Sequence, residues 1–128
     1  MFHFCKILHH VNTIIHFLST AVLSISISPP SGLVIQGSNQ QIVCTVQSTA
    51  AAQSISWTSN GVSIAIDNSK YTGGNTANPS LTINNFQPSD AGSYVCSATN
   101  AAGTSVSGVS SLTYRGKYDL VLYKYRFN

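Results

Sequence analysis

Two cysteines in matching strand patterns constrain the fold of this chain more than any other feature. In residues 41–46 (QIVCTV) every second residue is apolar, and Cys44 is one of that set. Cys96 holds the same position in residues 93–99 (SYVCSAT). Because successive side chains of a strand point to opposite faces, both cysteines are predicted to face a core. The same pattern would also fit two buried free thiols in a β-protein of another kind.

Short alternating segments separated by turn residues continue this pattern through residues 22–114. Residues 23–27 (LSISI) alternate apolar residues with serines, and Pro29-Pro30 then interrupts strand pairing because proline has no N–H to donate. No internal repeat and no amphipathic helix is evident. Short strands at this spacing predict an all-β fold of two packed sheets. Further strands are predicted at residues 33–36, 53–58, 62–66, 80–83 and 104–114, with a turn at residues 72–75.

Charge is scarce and unevenly placed along the chain. Charged residues make up 7% of it, with no glutamate, where about a quarter is typical of soluble domains. The tail holds Arg115, Lys117, Lys124 and Arg126 against Asp119, so it alone carries a charge equal to the net +3. The body lacks a basic patch, so no nucleic-acid partner is expected. Its two isolated carboxylates are too few for a calcium site.

The residues that most enzymes use are missing from the body of the chain. All four histidines precede residue 22, so a Ser-His-Asp or Cys-His site cannot form in the body. No glycine loop for phosphate is present, and Asn78-Pro79-Ser80 is not a glycosylation acceptor because of its proline. We therefore predict no enzyme activity, no cofactor, no metal site and no small-molecule substrate. The histidines before the body are His3, His9, His10 and His16.

The most specific signal is the stretch LTINNFQPSDAGSYVCSATNAAG, which surrounds Cys96. It resembles the immunoglobulin superfamily, most closely the I-set type, and the resemblance covers about residues 25–114. It implies a two-sheet antiparallel Ig-like β-sandwich with Greek-key topology. The matching residues are Leu81, Ile83, Phe86, Asp90, Gly92, Tyr94, Cys96, Ala98, Asn100 and Gly103, and upstream Gly37, Ile42, Cys44 and Trp57.

The resemblance also implies what the matched core residues do. Cys44 and Cys96 should form one inter-sheet disulfide, with Trp57 packed on it. Closing so long a loop stabilises a fold by about 4 kcal/mol in the chain-entropy model. The 52-residue spacing leaves little room for the extra strand pair of variable domains, so an antigen-receptor-like binding site is not favoured. Leu81, Ile83 and Phe86 should pack beside Trp57.

Residues near the second cysteine are expected to hold one end of the sandwich together. Tyr94 is placed for a tyrosine corner, in which its hydroxyl reaches back to the turn backbone. Gly92 should allow a tight turn there. Asp90 should pair with a base, and Lys70 is the only one in the body. If exposed, this salt bridge would contribute at most about 1 kcal/mol.

The two ends of the chain differ from the body. Residues 1–21 are predicted to be a signal peptide, with an uncleaved anchor or a spurious leader as alternatives. Cys5 disappears if this leader is removed and is a free thiol if it stays. Residues 22–114 form the predicted domain. Residues 115–128 are basic and aromatic, and are interpreted as a disordered tail or a fragment end; extension of the last strand or contact with lipid headgroups is the alternative.

Three hypotheses for function follow from the resemblance. The first is an extracellular recognition module, secreted or on the outer face of the plasma membrane, binding another protein such as a second Ig domain. The candidate surfaces are the sheet face of residues 53–58 and 93–99 and two turns. The second is an intracellular structural module with reduced cysteines, as in muscle proteins. The third is a fragment of a larger multidomain protein. The candidate turn residues are Asn60, Gly61, Asn100 and Gly103.

Overall fold

The computed structural model describes residues 22–118, and both the predicted signal peptide and residues 119–128 of the tail lie outside this range. The described chain forms ten short strands and one 3-10 turn, Pro88–Asp90. None of its helices is long and apolar enough to span a membrane. The strands are β1 Leu23–Ser28, β2 Ser31–Ile35, β3 Gln40–Ser48, β4 Ser54–Ser59, β5 Val62–Ser63, β6 Tyr71–Gly73, β7 Leu81–Ile83, β8 Gly92–Asn100, β9 Gly103–Val106 and β10 Ser110–Arg115.

The strands pack as two sheets, which confirms the predicted sandwich. One sheet has four strands in the order β1-β3-β7-β6. The other has six strands in the order β2-β10-β8-β4-β5, and β9 also pairs with β8. Every pair is antiparallel except β2 with β10, which is parallel. The chain thus crosses repeatedly between the sheets.

The first segment divides between the two sheets at the predicted proline break. Leu23–Ser28 pairs with β3, and Ser31–Ile35 pairs with β10 in the opposite sheet. The carbonyl groups released at this crossing are bonded by β10. Ser110 Oγ donates to the Pro29 carbonyl (2.6 Å), and the Ser111 N–H donates to the Pro30 carbonyl (2.9 Å). The carbonyl groups of Pro29 and Pro30 therefore both have a hydrogen-bond donor where the chain crosses between the sheets.

The predicted alternation places the core between the sheets. Cys44 and Cys96 are joined by a disulfide, with Cα atoms 6.5 Å apart. Trp57 lies opposite Cys96 on the neighbouring strand and is 1% exposed. Its indole N–H donates to the Pro79 carbonyl at 2.8 Å, so the ring's one polar group is satisfied. The other buried members of the core cluster are Val34, Ile42, Leu81, Ile83, Phe86, Tyr94 and Leu112.

Three segments differ from the sequence-based prediction. The strand predicted at residues 62–66 is only Val62–Ser63, because the chain leaves the sheet edge after the Ile64 N–H bonds the Trp57 carbonyl. The turn predicted at residues 72–75 contains the end of β6. The strand predicted at residues 104–114 is interrupted, because Ser107 bonds both the N–H and the carbonyl of Cys96 and the next two residues leave the ladder.

Candidate functional site

The predicted salt bridge lies at one end of the sandwich and is not the exposed pair that was expected. Lys70 Nζ is 2.5 Å from Asp90 Oδ2, and Asp90 is only 7% exposed. Lys70 also donates to the carbonyls of Asn84 and Asn85, both at 3.0 Å. The Gln87 N–H bonds the same carboxylate oxygen at 2.8 Å. Burial and these four contacts make the pair a structural clamp on the turn before β8.

Tyr94 holds the same turn from inside the core. Its hydroxyl donates to the Asp90 carbonyl at 2.5 Å, which is the geometry expected for a tyrosine corner. The side chain is fully buried. Burial raises the pKa of Tyr94 to about 12, because the ionised phenolate would lose its hydration. Tyr94 therefore stays protonated and serves as a hydrogen-bond donor to the fold.

Gly92 makes room for the side chain of one candidate turn residue. Its φ is 151°, and a Cβ at this position would lie 2.4 Å from Asn60 Nδ2. The Asn60 Oδ1 atom accepts the Ser93 N–H at 2.9 Å, and the Asn60 N–H donates to the Ser93 carbonyl. Asn60 and Gly61 both have positive φ, as a two-residue hairpin turn requires. The Asn60 side chain thus fixes the β4–β5 turn to β8.

The two candidate binding turns lie at opposite ends of the six-stranded sheet. The β4–β5 turn follows the Ser59–Tyr94 pair, whereas the β8–β9 turn follows the Ser54–Thr99 pair. The length of β4 separates them, roughly 20 Å at the usual rise per residue. The structure does not bring them together, and a partner that touches both must cover the sheet face between them.

Asn100 requires a correction, because it is not available to a partner. It was predicted to be a binding-loop residue, but it is 3% exposed. Its Nδ2 donates to Ser48 Oγ at 2.7 Å, and its Oδ1 accepts the Ala102 N–H at 2.7 Å. The side chain therefore ties the β8–β9 turn to β3. Gly103, at the other end of that turn, is exposed and has open space around it.

The outer face of the six-stranded sheet is formed almost entirely by hydroxyl-bearing and aliphatic side chains. Strand register aligns them in rows, and one row is Ser54, Thr99 and Thr104. The hydroxyls of Thr99 and Thr104 bond each other at 2.9 Å. We call this surface the hydroxyl face. Its members are Leu33, Ile35, Ser54, Ser56, Thr58, Ser93, Val95, Ser97, Thr99, Thr104, Val106, Ser111 and Thr113.

Exposed aliphatic side chains distinguish the hydroxyl face from the outer face of the other sheet. Leu33 is 54% exposed, Ile35 is 42% and Val106 is 61%. Among the strands of the four-stranded sheet, Val43 is the single exposed large apolar residue. At the rim of the hydroxyl face, only Arg115 is charged among the described strand residues of this sheet. Apart from this one cation at its rim, beside Ile35, the face offers apolar contact and hydroxyl hydrogen bonds.

Sequence reasoning identified part of this face and missed its apolar side chains. Residues 53–58 and 93–99 were predicted to form the surface, and they form its centre. Leu33 and Ile35 were assigned to a strand, but the pairing of β2 with β10 could not be read from their pattern. Val106 was assigned to the strand predicted at residues 104–114. No local signal marked these side chains, because residues 31–35 (SGLVI) do not alternate in sequence and the exposure of Leu33 and Ile35 appears only once β2 is paired with β10.

Comparison with known proteins agrees with the architecture. A family model described as an immunoglobulin domain matches residues 24–100. No curated protein sequence matches the chain. The two packed sheets, their crossing strands and the buried disulfide define an immunoglobulin-type β-sandwich. The chain belongs to the immunoglobulin domain family.

Solved structures with the same fold include domains of Dscam1, of a receptor protein tyrosine phosphatase and of titin. The four N-terminal Ig domains of Dscam1 are 24% identical with a TM-score of 0.59, over 73% of this chain and 21% of that one. The Ig1-2 module of the Drosophila receptor protein tyrosine phosphatase DLAR is 24% identical with a TM-score of 0.61, over 71% of this chain and 45% of that one. Titin M4 is 28% identical with a TM-score of 0.56, over 73% of this chain and 92% of that one. The chain thus spans less than half of the first two.

Proposed function

We propose that this chain is an extracellular protein–protein recognition module of the cell-adhesion or cell-surface-receptor type, without catalytic activity. Its partner binds on the hydroxyl face. The observation that carries the proposal is the exposure of Leu33, Ile35 and Val106 on a sheet face whose other members are mostly serine and threonine. A reversible protein interface is only about as apolar as the rest of a protein surface, so a face that combines exposed aliphatic and hydroxyl side chains meets that requirement.

Charge is scarce on the hydroxyl face, where Arg115 at the rim is the one charged residue among the described strands of this sheet, and this favours a protein partner of similar chemistry. The uncharged centre of the face loses no ion hydration when it is covered, so aliphatic contact and hydroxyl hydrogen bonds can provide the binding energy. Without electrostatic steering, association should proceed at about 10⁵–10⁶ M⁻¹s⁻¹ and depend little on salt. A second immunoglobulin domain, in homophilic or heterophilic pairing, has sheet faces that fit these requirements.

An extracellular location is supported by two features. The Cys44–Cys96 disulfide is a bond that persists in oxidising compartments. Residues 1–21 have the composition of an export signal, which is part of this proposal. N-terminal sequencing of the mature protein tests this: a start near Val22 is expected, whereas an intact Met1 contradicts cleavage.

A matched pair of substitutions tests the hydroxyl face directly. Ser97 lies at its centre, between Ser56 and Val106, and Ser97→Arg places a charge there. Thr45 is exposed on the outer face of the other sheet, so Thr45→Arg adds the same charge elsewhere. The chain is displayed on beads, and aggregation of beads and binding to cells are measured. Ser97→Arg should reduce binding at least roughly tenfold, and Thr45→Arg should not. The proposal is contradicted if the two variants reduce binding equally, or if the unchanged chain does not bind.

A structural module within a larger, muscle-type or multidomain protein is the second candidate. It is favoured by titin M4, because this chain covers 92% of that single domain. The two functions differ in the redox state of the cysteines. Mass spectrometry of protein from its native source, alkylated before digestion, measures this state. Oxidised Cys44–Cys96 supports the extracellular module, whereas reduced thiols support the structural one.

A further inference from the structure

The four-stranded sheet has a gap beside the second half of β3. Strand β7 pairs only with Gln40–Ile42, so within residues 22–118 no strand lies next to residues 43–48 on that side. Pro79 is the reason that β7 begins so late: it has no N–H to donate, and its carbonyl bonds the indole of Trp57 instead. The gap is an open groove of about 440 Å³, which we call the β3 groove. Its lining includes Val46, Ser48, Ala52, Ile55, Thr76 and Pro79.

Backbone hydrogen-bonding groups of β3 point into this groove. In an antiparallel pair, alternate residues direct their N–H and C=O toward the partner strand and away from it. The Cys44 N–H bonds Ser80 Oγ at 3.2 Å, on the side of β7. Val46 and Ser48 share its orientation, because they are two and four residues further along. Their amide groups, and the carbonyls of Cys44 and Val46, therefore face the groove instead of β1.

The walls of the groove limit what can bind there. Val46 and Ile55 are only partly buried and form an apolar floor beside the core. Ser48 and Thr76 provide hydroxyls at the rim, and no lining residue is charged. A charged segment would lose hydration without gaining a partner. An extended, uncharged segment would pair with the free edge and bury small apolar side chains on the floor.

We propose that the β3 groove binds an extended, uncharged peptide segment of a partner protein, which pairs antiparallel with residues 44–48 and takes the place of the missing part of β7. Antiparallel pairing is the geometry that β7 already has with β3. This site is separate from the hydroxyl face, since it lies at an edge of the other, four-stranded sheet, so it can be tested independently of that surface.

A synthetic hexapeptide of alternating valine and threonine is a suitable probe, and N-methylation makes the test specific. In antiparallel pairing, the residues whose side chains enter the groove are those whose amides bond β3. N-methylation of the valine amides should therefore weaken binding roughly tenfold or more, because each methyl group removes a hydrogen-bond donor to β3. N-methylation of the threonine amides should not. Binding to the full chain is measured by calorimetry, and equal binding of the two methylated peptides overturns the proposal.

Replacing each of two alanines by phenylalanine tests where the peptide binds. Ala52 lines the groove, and Ala52→Phe should fill it and abolish peptide binding. Ala101 is exposed in the β8–β9 turn, outside the groove, and Ala101→Phe is the matched control that should keep binding. If Ala52→Phe binds the peptide as well as the control does, or if the unchanged chain binds no peptide, the proposal is wrong. Self-association that Ala52→Phe removes would show a second copy as the occupant and would also overturn it.

Amide hydrogen exchange tests the proposal at the backbone N–H groups of Val46 and Ser48, which are predicted to donate to the peptide. In the free protein, the amides of Val46 and Ser48 should exchange faster than those of Thr45 and Gln47, which bond β1. Saturating peptide should slow exchange at Val46 and Ser48 roughly tenfold or more. Slow exchange of the Val46 amide in the free protein would mean that its hydrogen bond is already made, and would contradict the proposal.

Discussion

At the scale of single residues, several hydrogen bonds converge on Asp90 in the turn before β8. The backbone and side chain of Asp90 accept hydrogen bonds from Tyr94, Lys70 and Gln87. These bonds fix the chain just before β8, the strand that contains Cys96. Because β8 lies at the centre of the six-stranded sheet, a displacement of this turn would also displace the strands that pair with β8.

Removing the Tyr94 hydroxyl should destabilise the domain. Tyr94→Phe leaves the Asp90 carbonyl without its donor inside the core, and should lower the free energy of unfolding by about 1–3 kcal/mol. Urea denaturation followed by Trp57 fluorescence measures this change. Tyr118→Phe alters a tyrosine that is 71% exposed and should change stability by less than about 0.5 kcal/mol. Equal stability of the two variants would contradict the role given to the hydroxyl.

The raised pKa of Tyr94 predicts a loss of stability at high pH. The folded pKa is about 12, whereas an exposed tyrosine titrates near 10, so the unfolded chain loses its proton first as the pH rises. The Tyr94 contribution is complete below about pH 10 and is lost by about pH 12, up to about 3 kcal/mol. The advantage of the unchanged chain over Tyr94→Phe should therefore shrink across this window. Denaturation curves of both proteins, recorded at intervals of pH, measure this difference in the free energy of unfolding. A difference that stays constant from about pH 10 to about pH 12 would contradict the raised pKa of Tyr94.

Breaking the clamp at Lys70 should cost more than an exposed ion pair would. Lys70→Met removes the cation beside a carboxylate that is 7% exposed, together with the donors to Asn84 and Asn85. We expect a loss of about 1.5–3 kcal/mol in the free energy of unfolding. Lys117→Met at an exposed position is the control. A loss below about 1 kcal/mol would show that the pair behaves like a surface salt bridge.

At the scale of elements, the β6–β7 region is shaped by close backbone approach. Gly73 ends β6 with a φ of +78°, and a Cβ there would lie 2.1 Å from the Ser80 carbonyl oxygen. That carbonyl accepts the Gly74 N–H at 2.9 Å, so it cannot move away without losing the bond. The same segment leads to Pro79, where β7 fails to extend along β3. Its geometry therefore decides where the β3 groove opens.

Substitution of Gly73 should perturb this region strongly. Gly73→Ala combines an unfavourable φ with a backbone clash, and should lower the free energy of unfolding by about 2 kcal/mol or more. Gly108→Ala is the matched control, because open space surrounds that position. It should change stability by less than about 0.5 kcal/mol. Thermal denaturation of the two variants side by side makes the comparison, and similar melting temperatures would contradict the close approach.

At the scale of the whole molecule, the disulfide links the two sheets across a separation of 52 residues. Replacing both cysteines, Cys44→Ala with Cys96→Ala, should lower the free energy of unfolding by about 2–5 kcal/mol. That is a large part of the ~5–15 kcal/mol typical of a domain. The shift of the urea midpoint measures the effect. An unchanged midpoint would mean that sheet packing alone holds the domain.

Much of the fold could be predicted from the sequence because its signals are local. Alternation assigned Cys44, Trp57 and Cys96 to the inward faces of their strands, and the motif around Cys96 located the turn before β8. The candidate surface was harder to predict. Asn100 looked like an ordinary polar turn residue, yet it is buried because Ser48, from a distant part of the chain, lies beside it.

The sequence by itself determined which residues of the main strands face inward and where several of the turns lie, since strand alternation and turn chemistry act between near neighbours. The pairing of Cys44 with Cys96 was implied by the resemblance to the immunoglobulin superfamily, and the structure confirms it. Only the tertiary structure decided which outward residues form one surface. Leu33 and Val106 share the hydroxyl face because β2 pairs with β10, and both β10 and β9 pair with β8. The β3 groove likewise exists because Pro79 turns its carbonyl toward Trp57 in the opposite sheet. Exposure and unpaired edges depend on contacts between distant segments, and no local pattern specifies those contacts.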